Sequence, residues 1–101
     1  MKFVLAFCFS LAMIFNTAVL ADVAAGQSTY AARGCIGCHG AGGVSVVATY
    51  PSLKGKDREF IRKNLTDFRS GARKNPVMNA MAAGLKDEDI VNLAAYIDSL
   101  K

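Results

Sequence analysis

Two cysteines separated by two residues, with a histidine directly after the second, constrain this chain more than any other run in it: Cys35-Ile-Gly-Cys38-His39. The only other cysteine is Cys8, and there is no other histidine. A zinc site asks for about four ligands, and Cys8 lies in an N-terminal apolar stretch expected to be removed. A thioredoxin-like redox pair expects a βαβ setting, and the strands for it are missing. A plain disulfide would leave His39 without a role. The C-x-x-C-H spacing is the one that attaches haem c. The two thiols can add across the two vinyl groups of one haem, which leaves the adjoining imidazole where it can bind the iron.

The N-terminus supplies an export signal. Met1-Lys2 is a short positive start, Phe3 to Phe15 is apolar except for Ser10, and small residues lead up to Ala21. This is the layout of a secretory signal peptide over residues 1–21, with cleavage expected after Ala21 and Ala18 as the alternative. An uncleaved anchor is the rival, since the apolar segment approaches bilayer-spanning length. Asn16 and Thr17 shorten it, and no basic stop-transfer cluster follows. The mature chain is then one small domain, residues 22–101, expected in the periplasm. A domain of that size buries a limited core and commonly depends on a staple. A covalently held haem would supply a large apolar body to fold around. Without Lys2 the 12 basic residues fall to 11 against 8 acidic ones, a balance of +3 that two haem propionates would largely offset.

The pattern of the mature chain is all-α, with about three main helices and irregular loops wrapped around one haem. The first helix is expected over residues 22–33, with Asp22 as N-cap and Gly34 as the stop. Gly26 and Tyr30, four apart, share one of its faces. The second is expected over 57–70, where Phe60, Ile61, Leu65 and Phe68 form an apolar stripe and Gly71 follows as the C′ residue. The third is expected over 87–100, with Ile90, Leu93, Ile97 and Leu100 at spacings of three and four. Asp87, Glu88 and Asp89 crowd its first turn, where the helix dipole favours negative charge. Residues 40–55 and 72–84 read as loops. The first is rich in glycine, and Val44 to Ala48 has no second strand to pair with. The second holds an Asn75-Pro76 turn, Met78 and Met81. Loops this long suit a chain that wraps a cofactor.

An iron held by His39 has a sixth position, and its occupant decides the function. A methionine thioether closes the site and raises the potential, whereas an open position favours ligand binding or activation. No second histidine exists in this chain. Met1 and Met13 lie in the leader, so Met78 and Met81 are the candidates. Pro51 is a loop stiffener, and it gains a second role if a carbonyl there accepts the Nδ1–H of His39, which would orient the ring and raise its basicity.

Cys35-Ile-Gly-Cys38-His39-Gly40, Tyr50-Pro51-Ser52-Leu53-Lys54-Gly55 and Met78-Asn79-Ala80-Met81, followed by Leu85-Lys86-Asp87-Glu88-Asp89-Ile90, together resemble a class I c-type cytochrome. The likeness is to the small bacterial periplasmic monohaem type and to single halves of the dihaem cytochromes. It covers essentially all of residues 22–101. The resemblance implies the cytochrome c fold and one covalently attached haem c, held by Cys35 and Cys38. It also implies His39 as proximal iron ligand, Met78 as distal ligand with Met81 as second choice, and the Pro51 carbonyl on the proximal histidine. The N-terminal helix is implied to cross the C-terminal one through Gly26 and Tyr30 against Leu93 to Ile97, with Tyr96 close by. One departure stands out. Lys86 occupies a place where such proteins often have Ser or Thr as N-cap, so Asp87 is expected to take the cap and start the last helix one residue later.

Residues 54–74 hold eight basic and three acidic side chains, whereas residues 86–101 hold two basic and four acidic ones. The usual meaning of such charge is a solvated helix face. Its functional meaning would be steering toward larger redox proteins with acidic surfaces as electron donor and acceptor. Nucleic acid is not an expected partner, because export removes the chain from it and no stacking aromatics accompany the basic stretch. No stable membrane association is expected after cleavage, and the expected state is a monomer. The function expected is a periplasmic single-electron carrier and not an enzyme. The alternative is a haem-based sensor or ligand-binding protein whose methionine is displaceable.

Overall fold

The computed structural model describes residue 20 and residues 22–101; the expected leader and its cleavage points at Ala18 and Ala21 lie outside the described residues. Helix α1 covers residues 22–32. A short α2 (Cys35–His39) and a single 3-10 turn (Ala41–Gly43) follow. After an irregular stretch come α3 (Arg58–Ser70), α4 (Pro76–Ala83) and α5 (Asp87–Asp98). No strand occurs among the described residues, so Val44 to Ala48 is a loop, as its lack of a partner implied.

Helix α3 starts where its chemistry says it should. The Asp57 carboxylate accepts the Phe60 N–H at 2.9 Å, capping the first turn, and Gly71 ends the helix in the left-handed region. Exposed ion pairs, Arg62–Glu59 and Lys63–Asp67, brace its outer face, a small contribution each. Its inner face brings Ile61, Leu65 and Phe68 to the core.

Helix α4 corrects the reading of residues 72–84 as a loop. Asn75-Pro76 is not a turn but a helix start: the Asn75 side chain accepts the Met78 N–H at 3.0 Å, and Pro76 takes the first helical position, where no N–H is needed. Asn79 then ties α4 to the chain before it. Its Oδ1 accepts the Asn75 N–H, and its Nδ2 donates to the carbonyls of Phe68 and Arg73, all within 2.8–2.9 Å. Three main helices therefore become four, with Met78 and Met81 on a helix.

Two expected caps also differ. Residue 22 is already helical, so Asp22 does not cap α1. Helix α5 begins at Asp87 with Lys86 as N-cap, so Asp87 does not take the cap. Asp89 explains how lysine is tolerated there, since its carboxylate accepts the Lys86 N–H at 2.9 Å. Asp87 is instead engaged by Arg69 at 2.7 Å, while the same guanidinium donates to the Leu85 carbonyl.

Helix α5 is the centre of the packing. Ile90, Leu93, Ala94 and Ile97 are 2% exposed or less and meet Ile61, Ala82 and Leu85 from α3 and the α4–α5 region. From the other side α1 crosses α5 at Gly26. A Cβ there would lie 2.0 Å from the Asn92 carbonyl oxygen and 2.7 Å from the Tyr96 Cβ. Only glycine permits that approach. One turn on, the Tyr30 and Tyr96 rings pack tilted at 5.4 Å. The resemblance implied this crossing, and the atoms bear it out. Gly26→Ala must push the two helices apart and is expected to cost about 3 kcal/mol, the upper part of the range for overpacking. Denaturant unfolding of the holoprotein measures it.

Candidate functional site

The C-terminal end of α1 delivers the chain directly into the site. Gly34, at φ 79, turns it out of α1, and Cys35 to His39 then form one short helix. That helix puts Cys35, Cys38 and His39 on the wall of one cavity of about 510 Å³, within the usual size of a small-molecule site. Apolar side chains dominate the rest of the wall: Leu53, Ile61, Leu65 and Phe68, with Met78 and Met81 from α4. Pro51 and Tyr50 border it as well. Every site residue read from the sequence thus meets at one cavity, although 42 residues of chain separate Cys35 from Met78.

The histidine is oriented by a contact that the sequence suggested only through Pro51. His39 Nδ1 lies 2.8 Å from the Pro51 carbonyl oxygen. A carbonyl can only accept, so Nδ1 carries the proton and Nε2 is left as the basic nitrogen. Pro51 is in turn held by a rigid loop. The Ser45 N–H donates to the Ser52 hydroxyl at 2.9 Å, Ser45 Oγ reaches the Val47 and Cys38 carbonyls, and the Leu53 N–H donates to Gly43 at 2.7 Å. The glycine-rich loop therefore has a definite job, which is to bring the Pro51 carbonyl to the imidazole.

Cys35 and Cys38 are not joined to each other in a disulfide. Cys35 packs against the core, and burial pushes its thiol up from the ordinary value, only partly opposed by a backbone hydrogen bond and Arg33. The donor set fits haem c. Two thiols at the attachment spacing, one imidazole with Nε2 available, two thioethers and an apolar wall occur together. Metal clusters of three or more His, Cys, Asp or Glu are absent among the described residues.

Several contributors escaped the sequence reading. Tyr30, read only as a packing residue, donates its hydroxyl to the Gly40 carbonyl at 2.6 Å. Lys56 and Arg73 also border the cavity. Lys56 sits over the Phe60 ring at 5.1 Å and Arg73 over Phe68 at 4.8 Å, with Arg73 also donating to the Asn64 side chain. Neither pairs with a carboxylate among the described residues. The spacing Lys56 to Phe60 was a weak signal for the first. Nothing in the sequence pointed to Arg73.

Comparison with known proteins agrees with this geometry. A family model described as cytochrome c matches residues 23–101. The "Cytochrome c-554(548)" of Halomonas halodenitrificans is 37% identical over 77% of this chain and 95% of its own length. A "Thiosulfate dehydrogenase electron acceptor" of Stutzerimonas stutzeri is 42% identical over 79% of this chain but 41% of its own, so this chain spans less than half of that relative. Among solved structures, reduced recombinant cytochrome c4 from Pseudomonas stutzeri superposes with a TM-score of 0.70 at 35% identity. That match covers 77% of this chain and 47% of the cytochrome c4 chain.

The buried Tyr30 hydroxyl carries a pH signature. Burial, then Cys35 and Tyr96, push it up from the ordinary 10.0 to about 12. The fold favours the neutral phenol, so its contribution to stability is complete below pH 10.0 and is lost as pH rises through about 12. Unfolding free energy measured across that window is expected to fall with a component that Tyr30→Phe lacks.

Proposed function

The chain belongs to the cytochrome c family, and from that premise we propose that it is an exported carrier of single electrons, working in the periplasm. The observation that carries this reading is the gathering of Cys35, Cys38, His39 and Met78 on one apolar cavity, with the His39 ring held by the Pro51 carbonyl at 2.8 Å. Proteins of this family bind haem c covalently and transfer electrons; they are not enzymes as a class. When bound, haem c supplies an iron centre that changes its charge by one electron.

Each residue then has a distinct task. Cys35 and Cys38 hold the haem through thioether bonds. His39 presents Nε2 as the proximal iron ligand. The Pro51 carbonyl keeps the ring in one tautomer and orientation and raises its basicity, which helps set the potential. Met78 is the distal ligand by this reading, because its thioether lies on a helix whose start is fixed by Asn75 and Pro76. That cap fixes the backbone from which the Met78 thioether would reach the iron. Met81 lies one turn further on and 40% exposed, a poorer position for a closed site. Lys56 and Arg73, cations at a largely apolar wall, suit the two haem carboxylates.

The surface supports acidic redox proteins as donor and acceptor. Apart from Lys56 and Arg73, the basic side chains Lys54, Arg58 and Lys74 of residues 54–74 pair with no carboxylate among the described residues, whereas Arg62, Lys63 and Arg69 do. Free cations of this kind steer encounter with an acidic surface. Residues 1–21 have the layout of a cleaved leader, and among the described residues no helix is long and apolar enough to cross a membrane. The leader layout fits a mature chain over residues 22–101, read here as a monomer.

A pyridine haemochrome assay on protein matured with the attachment machinery should give a c-type signal, and its absence would end the haem reading. For the distal ligand, Met78→Ala should abolish the weak far-red band of methionine-ligated ferric haem, while Met81→Ala should retain it. The reverse pattern would transfer the role to Met81.

A further inference from the structure

Tyr30 is 2% exposed and borders the same cavity, yet none of the roles just described uses its hydroxyl. A phenylalanine would pack against Tyr96 as well. The hydroxyl adds something a ring does not, a 2.6 Å bond from helix α1 to the Gly40 carbonyl. Gly40 directly follows His39 and adopts φ 86, ψ 161, a region open essentially to glycine alone. Its peptide is held from several sides. The Gly40 N–H donates to the Ile36 carbonyl at 3.0 Å, and its carbonyl also accepts the Gly43 N–H at 3.2 Å. A Cβ at this position would lie 1.8 Å from the Val44 carbonyl oxygen.

The direction of the His39 ring is set at two points, its own backbone and the Pro51 carbonyl. We propose that Tyr30 is a positioning residue for His39: its hydroxyl straps the Gly40 peptide, and so keeps the imidazole where Nδ1–H meets Pro51. Through the Tyr30–Tyr96 contact the strap links the α1–α5 interface to the proximal ligand. This inference rests on the reading of His39 as the haem ligand. Without the strap the histidine backbone gains freedom, the Nδ1–H···O bond weakens, and the ring becomes a poorer electron donor. A poorer donor favours the reduced iron.

The test is Tyr30→Phe in the holoprotein, read by hydrogen exchange of the His39 Nδ1 proton and by the midpoint potential. Exchange of that proton is expected to quicken roughly tenfold or more, and the potential to rise, while the Leu93 and Ile97 amides exchange as in the wild type. Val23→Ala serves as the control, since it loosens the packing of α1 on the same core without touching the strap. It should speed the α5 amides without singling out His39. Wild-type exchange and potential in Tyr30→Phe, or acceleration only in step with the α5 amides, would overturn the proposal. If that variant does not mature, the wild-type holoprotein decides: the Tyr30 hydroxyl proton must exchange slowly and couple to the Gly40 carbonyl carbon, and its failure to do so sinks the strap. Loss of the c-type haemochrome would instead sink the haem reading, so the two failures are distinct.

Discussion

Helix α1 can lie on α5 only because residue 26 has no side chain. At that point the Asn92 carbonyl oxygen stands 2.0 Å from where a Cβ would be. Much of the molecule follows from that approach. It brings Tyr30 onto Tyr96, buries both rings, and sets the point at which α1 releases the chain at Gly34. Cys35, Cys38 and His39 come within the next five residues, so the attachment segment inherits its place from the helix crossing. A weaker crossing would place the segment less firmly, since α2 is a helix of only five residues with no side-chain cap.

The rest of the site is built by loops that look unstructured in sequence and are not. Ser45, Ser52 and Gly43 make the hydrogen bonds that carry Pro51 to His39. Asn75 and Asn79 do the equivalent for the methionines, by starting α4 and binding it to the carbonyls of Phe68 and Arg73. In both cases short polar side chains satisfy backbone groups that would otherwise need water. The wall between them is then largely apolar, which suits a large apolar cofactor.

Local signals carried well where capping and periodicity agreed. Asp57 and Gly71 bounded α3, and the Ile90, Leu93, Ile97 repeat marked α5. They failed where one dipeptide had two meanings. Asn-Pro starts a turn or caps a helix, and only the Asn75 side chain on the Met78 N–H decides between them. Lys86 misled for a similar reason: its side chain cannot accept a first-turn N–H, but Asp89 three residues on accepts the Lys86 N–H and fixes the helix start from the other side. Tyr30 was legible as an aromatic at helical spacing from Gly26, whereas the acceptor for its hydroxyl lies ten residues away across a glycine turn.

The sequence by itself determined the chemistry: two thiols and an imidazole at a spacing that suits one cofactor, no other histidine and no other cysteine but Cys8 near the N-terminus, and two methionines, Met78 and Met81, beyond the motif. Those are properties of residue identity and separation, which the chain carries unfolded. Only the tertiary structure decided that Met78 and Met81 sit on a helix, that the proton of His39 lies on Nδ1, and that Lys56 and Arg73 border the cavity without carboxylate partners. Those depend on which distant groups meet within hydrogen-bond or van der Waals reach, and that is set by how closely α1, α3 and α4 pack on α5.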